Sequence, residues 1–123
     1  MEWKGGNERA IMKAPLPPGA VCYNLGHISR IPRGEGRTYR LRDRLIAVFR
    51  SRNEELFATQ ADCPHRGGPL ADGIIGDGQV ICPLHAFKFD LRTGAPLGNS
   101  CPSLRTYPVR LDADGNMLIT VDD

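Results

Sequence analysis

Between Ala20 and Val121 no segment offers three clean turns of helical periodicity, and this constrains the fold more than any other feature. Apolar residues come instead in short runs, each followed by turn formers. Residues 21–25 make the first run, and a loop through Pro32, Arg33, Gly34, Glu35 and Gly36 follows it. Residues 37–41 and 45–50 flank Arg42-Asp43-Arg44 as the arms of a hairpin would. Leu56–Gln60, residues 79–82 and residues 87–91 read as further strands, the last turned by Arg92-Thr93-Gly94. Residues 106–111 and 117–121 close the series around Ala113-Asp114-Gly115-Asn116. The 14 glycines and 10 prolines are many for 123 residues, as a string of short strands requires. The expected fold is all-β, an antiparallel sandwich or barrel in a single domain over residues 20–123.

Two stretches break this texture. Residues 1–19 carry Gly5-Gly6 and prolines at positions 15, 17 and 18 without periodicity, so they are expected to form an extension, loosely ordered or laid across the surface. Residues 61–78 are rich in Gly, Pro and Asp and read as one long ordered loop.

That loop contains Cys63-Pro64-His65-Arg66-Gly67-Gly68, and a second motif, Cys82-Pro83-Leu84-His85, follows it. Each supplies one Cys and one His, with the spacing C-x-H-x16-C-x2-H. Thiolate and imidazole together suit zinc, copper or an iron–sulfur cluster. Zinc fingers usually space paired ligands as C-x2–4-C and H-x3–5-H, so that one turn aims two side chains at one ion. Here a single residue separates Cys63 from His65. In extended chain, residues two apart lie on the same side about 6–7 Å from each other, which suits two neighbouring irons better than one zinc.

Bulk properties narrow the context. No apolar run approaches the roughly 18 residues of a membrane span, and the N-terminus has no signal-type apolar stretch. The expected compartment is the cytoplasm, where thiols stay reduced and four cysteines point to metal ligation before disulfides. The net charge of +2, from 16 basic and 14 acidic residues, is too balanced to imply nucleic acid or a membrane as partner. Cys22 and Cys101 lack ligand spacing and read as structural thiols, and His27 as a surface residue.

The two loops resemble the signature of the Rieske [2Fe–2S] proteins. The resemblance implies one Rieske-type [2Fe–2S] cluster per chain, at the tip of a small cluster-binding subdomain (about residues 61–100) inserted in an antiparallel β base. It implies Cys63 and Cys82 on the buried iron and His65 and His85 on the outer one. Gly34-Glu35-Gly36-Arg37, Ala58-Thr59-Gln60, Phe89-Asp90-Leu91-Arg92-Thr93-Gly94 and Leu104-Arg105-Thr106-Tyr107-Pro108-Val109 look further like the small subunit of NAD(P)H-dependent nitrite reductase. That likeness implies nitrate assimilation beside a larger subunit bearing flavin and sirohaem. The other redox reading is a free-standing ferredoxin supplying an aromatic-ring-hydroxylating dioxygenase, with an oxygenase and a reductase as partners. A third is a structural or regulatory subunit without redox turnover. No nucleophile, general base or substrate pocket is evident, so catalysis would belong to the partner.

Two departures from the high-potential respiratory members set a further expectation. Those proteins join the two loops by a disulfide, and the corresponding positions here are Gly68 and Leu84. They also place a Ser and a Tyr after the second histidine as donors to cluster sulfur, where this chain has Phe87 and Phe89. Fewer donors leave the reduced cluster less stabilised, so the midpoint is expected near the low end of the Rieske range, on the order of −150 to 0 mV.

Overall fold

The computed structural model describes residues 19–64, 67–84 and 86–122. The extension expected over residues 1–19 lies outside the described residues except for Gly19, and His65, Arg66 and His85 lie outside them too. Among the described residues eleven strands run in order: β1 (Ala20–His27), β2 (Glu35–Leu41), β3 (Arg44–Arg50), β4 (Leu56–Gln60), β5 (Ile74–Gly76), β6 (Gln79–Ile81), β7 (Lys88–Asp90), β8 (Pro96–Leu97), β9 (Thr106–Tyr107), β10 (Val109–Leu111) and β11 (Asn116–Asp122). Short 3-10 turns at Ile28–Arg30 and Leu70–Asp72 are the helical elements among the described residues. No helix there is long and apolar enough to cross a membrane. Every strand pairing among the described residues is antiparallel, as the all-β reading expects.

The chain divides into two compact units. The first joins the residues up to Arg30 with those from Pro108 onward and holds one sheet, ordered β10-β11-β1. Its β10–β11 turn is built by Asp112, whose Oδ1 accepts the N–H groups of Asp114 and Asn116 at 2.9 Å each. Such a side chain satisfies two turn donors that the sheet ladder cannot reach.

The second unit, Ile31–Tyr107, holds two sheets, ordered β9-β4-β3-β2 and β5-β6-β7-β8. The second of these lies, in sequence, between β4 and β9 of the first. Ile46, Ala47, Val48 and Phe49 of β3 are all fully buried, the mark of a strand covered on both faces. One core joins Ala47 and Phe49 (β3) and Phe57 (β4) to Val80 (β6), Phe89 (β7), Leu70, Leu91 and Leu104. Each large side chain in it contributes on the order of 2–3 kcal/mol of burial. Cys63 and Cys82 belong to the same core.

Three details differ from the sequence reading. Residues 61–78 are not one loop, because β5 pairs with β6 across a two-residue turn in which Gly76 faces Gln79. Asp77 and Gly78 there both have positive φ, 52° and 73°, the pattern of a type I′ turn that an Asp-Gly pair favours. A short strand, β8, continues the sheet beyond β7. Residues 106–111 split at Pro108 into β9, which pairs with β4, and β10, which pairs with β11. Proline has no N–H to give a ladder, while its carbonyl still accepts the Thr120 N–H at 3.0 Å.

Candidate metal centre

Cys63 lies three residues beyond β4, and Cys82 directly follows β6. Each thus stands where a strand of one of the two sheets of the second unit gives way to a loop. The first loop is closed at its base. The Cys63 N–H donates to the Gly68 carbonyl at 2.8 Å, the Gly67 N–H to the Cys63 carbonyl at 2.7 Å, and the Leu70 N–H to the Ala61 carbonyl at 2.9 Å. Asp62 and Pro69 form an isolated antiparallel bridge at the same neck. The second loop is closed by the Cys82 N–H, which donates to the Phe87 carbonyl at 2.8 Å. Main-chain bonds therefore fix both cysteines without help from a helix.

The two thiols are buried, 2% and 1% exposed, and neither is in a disulfide. They are hydrogen-bonding neighbours. Burial pushes the Cys82 thiol pKa up, a Leu84 main-chain hydrogen bond opposes that, and the neighbouring Cys63 and Cys101 thiols add to the rise. Two soft sulfur donors held side by side in an apolar core suit a thiophilic metal, which would take the place of the thiol protons. The described half of the expected ligand set is thus brought together. His65 and His85, the other half, lie outside the described residues.

Glycine shapes this site in ways the sequence only partly conveys. At Gly68 a Cβ would lie 3.0 Å from Cys82 Sγ and 3.1 Å from Leu84 Cγ, tight enough to press on the sulfur. Gly73 has a different cause. A Cβ at Gly73 would come within 2.3 Å of the Ile81 carbonyl, so this glycine admits β6, and sulfur has no part in it. Cys101 was read as a structural thiol, and its proximity carried no spacing signal. It packs on the core that contains Cys63 and Cys82, and burial with the nearby Cys63 raises its pKa.

The remaining candidates fall outside the site. His27 is exposed at the end of β1, with Nδ1 2.9 Å from Ser29 Oγ. Cys22 sits on β1, its pKa raised by burial against the opposing effects of Arg110 and Thr120. Asp90 is turn chemistry, since its Oδ1 accepts the N–H groups of Arg92 and Thr93 at 2.8 and 3.0 Å. A cleft of about 370 Å³ opens at the Glu55 end of β4, away from the cysteines, lined among others by Arg52, Phe57 and Arg92. Arg92 is held there by an ion pair with Glu55 and by the face of Phe57, 5.3 Å from its guanidinium carbon.

An antiparallel fold with two loop cysteines buried side by side is that of a β protein suited to a thiolate-bound metal, and comparison with known proteins specifies which. Residues 21–108 match the model of the Rieske [2Fe-2S] domain, and the chain belongs to that family. It carries a Rieske-type [2Fe–2S] cluster, and its role is electron transfer. It is 38% identical over 103 residues to the anthranilate 1,2-dioxygenase ferredoxin subunit of Burkholderia cepacia, a match spanning 83% of this chain and 94% of that one. Among solved structures it resembles a protein named as an NADH-dependent nitrite reductase small subunit from Mycobacterium tuberculosis. That match has a TM-score of 0.78 at 24% identity and covers 85% of this chain and 97% of the other. It also resembles the ferredoxin of carbazole 1,9a-dioxygenase from Nocardioides aromaticivorans, with a TM-score of 0.73 at 25% identity over 80% and 95% of the two chains.

Proposed function

We propose that this chain is the ferredoxin of a ring-hydroxylating dioxygenase system, passing single electrons to a larger oxygenase. The observation that carries this reading is the 38% identity to a dioxygenase ferredoxin subunit over 94% of that protein's length. The nitrite reductase reading from the flanking segments stands second, favoured by the TM-score of 0.78, a likeness of fold at 24% identity.

In this reading Cys63 and Cys82 hold the buried iron, His65 and His85 hold the outer one, and residues 61–100 form the insertion that carries the cluster. The cluster, when bound, takes up and releases one electron at a time. The chain's own residues do the rest. The loop bonds fix the two sulfurs, Leu70, Val80 and Phe89 exclude water from them, and the main-chain hydrogen bond at Leu84 steadies Cys82. Neutral imidazoles in place of two thiolates reduce the negative charge on the site, so an electron enters at a less negative potential than in an all-cysteine ferredoxin.

The test mixes chemically reduced holoprotein, under single-turnover conditions, with the oxygenase and with the sirohaem reductase encoded in the same genome. Reoxidation by the oxygenase with formation of hydroxylated aromatic product supports the ferredoxin. Reoxidation only by the sirohaem enzyme with nitrite overturns it in favour of the second reading. His85→Ala should lose the native EPR signal, and its retention would remove His85 from the ligand set.

A further inference from the structure

We infer that the cluster-bearing end of the second unit carries an arginine rim, formed by Arg40, Arg42, Arg44 and Arg105, that docks the acidic surface of a protein partner. The inference rests on the electron-transfer reading and adds the chemistry of the surface the partner must offer.

Register places the rim. Ile46 of β3 pairs with Gln60 of β4, so two residues further along the same antiparallel ladder Arg44 is level with Asp62, next to Cys63. Leu41 pairs with Arg44, which puts the Arg42-Asp43 turn at that end of the sheet, and Arg40 pairs with Leu45 beside it. On the other side of β4, Arg105 is tied to Gln60, whose N–H donates to the Arg105 carbonyl at 2.8 Å and whose Oε1 accepts the Arg105 N–H at 2.7 Å. From Arg105 at the start of β9 to Arg40 on β2 the rim crosses three strand spacings, about 14 Å. That width fits a protein patch and exceeds a single phosphate or carboxylate.

Charge gives the rim its sign. Arg40, Arg42 and Arg105 are exposed and Arg44 half-buried, with Asp43 and Asp62 as the acids among them. At the opposite end of the same sheet, arginines are matched with carboxylates: Arg33 and Arg50 with Glu54, Arg37 with Glu35, and Arg92 with Glu55. Among the described residues Arg40 and Arg44 make no ion pair. The guanidinium carbons of Arg44 and Arg105 lie 5.8 and 5.6 Å from the centre of one ring, Tyr107, which holds two like charges near each other. Arg44 Nη1 is buried with no hydrogen-bond acceptor. A carboxylate brought up to this rim meets concentrated positive charge on a chain whose net charge is only +2.

The experiment measures electron transfer from dithionite-reduced holoprotein to two protein probes by stopped flow, plastocyanin with its acidic patch and cytochrome c with its basic haem edge. The expected result is a plastocyanin rate that falls about tenfold as salt rises from low to physiological, and a cytochrome c rate that rises with salt. Arg40→Glu with Arg42→Glu should cut the low-salt plastocyanin rate about tenfold, with the visible cluster spectrum intact. The neutral pair Arg40→Gln with Arg42→Gln should give part of that loss, and it substitutes for the first pair if that one fails to fold. Equal rates with both probes, or a plastocyanin rate indifferent to salt and to both pairs, would overturn the rim and leave electron transfer standing. Failure of both probes to reoxidise the protein at all would overturn the electron-transfer reading and this inference with it.

Discussion

Joining the two cysteine-bearing loops by a disulfide, through Gly68→Cys with Leu84→Cys, should raise the thermal stability of the oxidised protein by about 10 °C. The geometry is already in place. A Cβ built on Gly68 lies 3.1 Å from Leu84 Cγ, the atom a cysteine sulfur at position 84 would nearly replace. In a disulfide the Cβ of one residue lies about 3 Å from the sulfur of the other, because the S–S bond is about 2 Å long. Gly68 is not among the residues with positive φ, so cysteine can adopt its backbone conformation. Closing a loop of about 15 residues in the unfolded chain is worth about 3 kcal/mol, and at this size each kcal/mol moves the midpoint by about 3–5 °C. Two effects oppose the gain. Leu84, 42% exposed, gives up some buried surface, and the new Cβ sits 3.0 Å from Cys82 Sγ. Gly68→Ala alone isolates the second effect and should lose its visible cluster absorbance at lower temperature than the parent. The assay follows that absorbance on heating the double variant, with and without a phosphine reductant, and counts free thiols. A thiol titre that does not drop by two on oxidation would refute the geometry, and an oxidised form melting no higher than the reduced form would refute the entropy argument.

Other outcomes follow from single positions. Gly94→Ala should cost more than about 3 kcal/mol in urea denaturation, because φ is +81° there and a Cβ would lie 2.1 Å from the Leu104 carbonyl. A midpoint within about 1 kcal/mol of the parent would show that this turn relaxes freely. Phe87→Ser with Phe89→Tyr should raise the reduction potential by on the order of 40 mV per sulfur hydrogen bond gained, read by redox titration, since one such bond is worth about 1 kcal/mol. Cys22 should react with iodoacetamide at pH 8 more slowly than free cysteine, as its raised pKa lowers the thiolate fraction at any given pH. Glu54 is held below the usual carboxylate range, chiefly by its hydrogen bond from Arg50 and further by Arg33. Its contribution to stability is present above the unfolded carboxyl pKa and lost as pH falls through the folded one. Glu54→Gln should therefore flatten the urea stability profile between about pH 5 and 3.

The elements that run over five residues or more were legible from period and turn residues alone, because β2, β3 and β4 alternate or bury both faces and end at polar turns. What escaped was local competition. Ile74-Ile75-Gly76-Asp77-Gly78-Gln79-Val80-Ile81 is apolar on both sides of an Asp-Gly pair, a hairpin signal masked by the Gly and Asp content of its surroundings. Pro108 inside an otherwise strand-like run could have marked the point where the chain changes sheets. The cysteine pair was visible because ligand spacing is a local property of each loop. The approach of Cys101 to that pair, and the different obstacles facing Gly68 and Gly73, depend on contacts between distant segments, which no periodicity encodes.

The placement of Cys63 and Cys82 in the core binds the proposed metal centre to the fold more closely than an inserted subdomain suggests. Both are packed with Ala47, Phe49 and Phe57 of one sheet and with Val80 and Phe89 of the other. Replacing either thiol therefore opens the apolar layer that the two sheets share, as well as removing a proposed ligand. A histidine on the opposite side of the cluster would carry no such burden, so with the proposed ligand set the two kinds of loss should separate. Histidine variants should lose the cluster and keep the sheets, whereas cysteine variants should lose cooperativity in unfolding as well. The same burial closes the sulfur side of the site to a partner. Under the proposed ligands an electron then has one way out, through the loop tips, at the end of the sheet where Arg42, Arg44 and Arg105 stand.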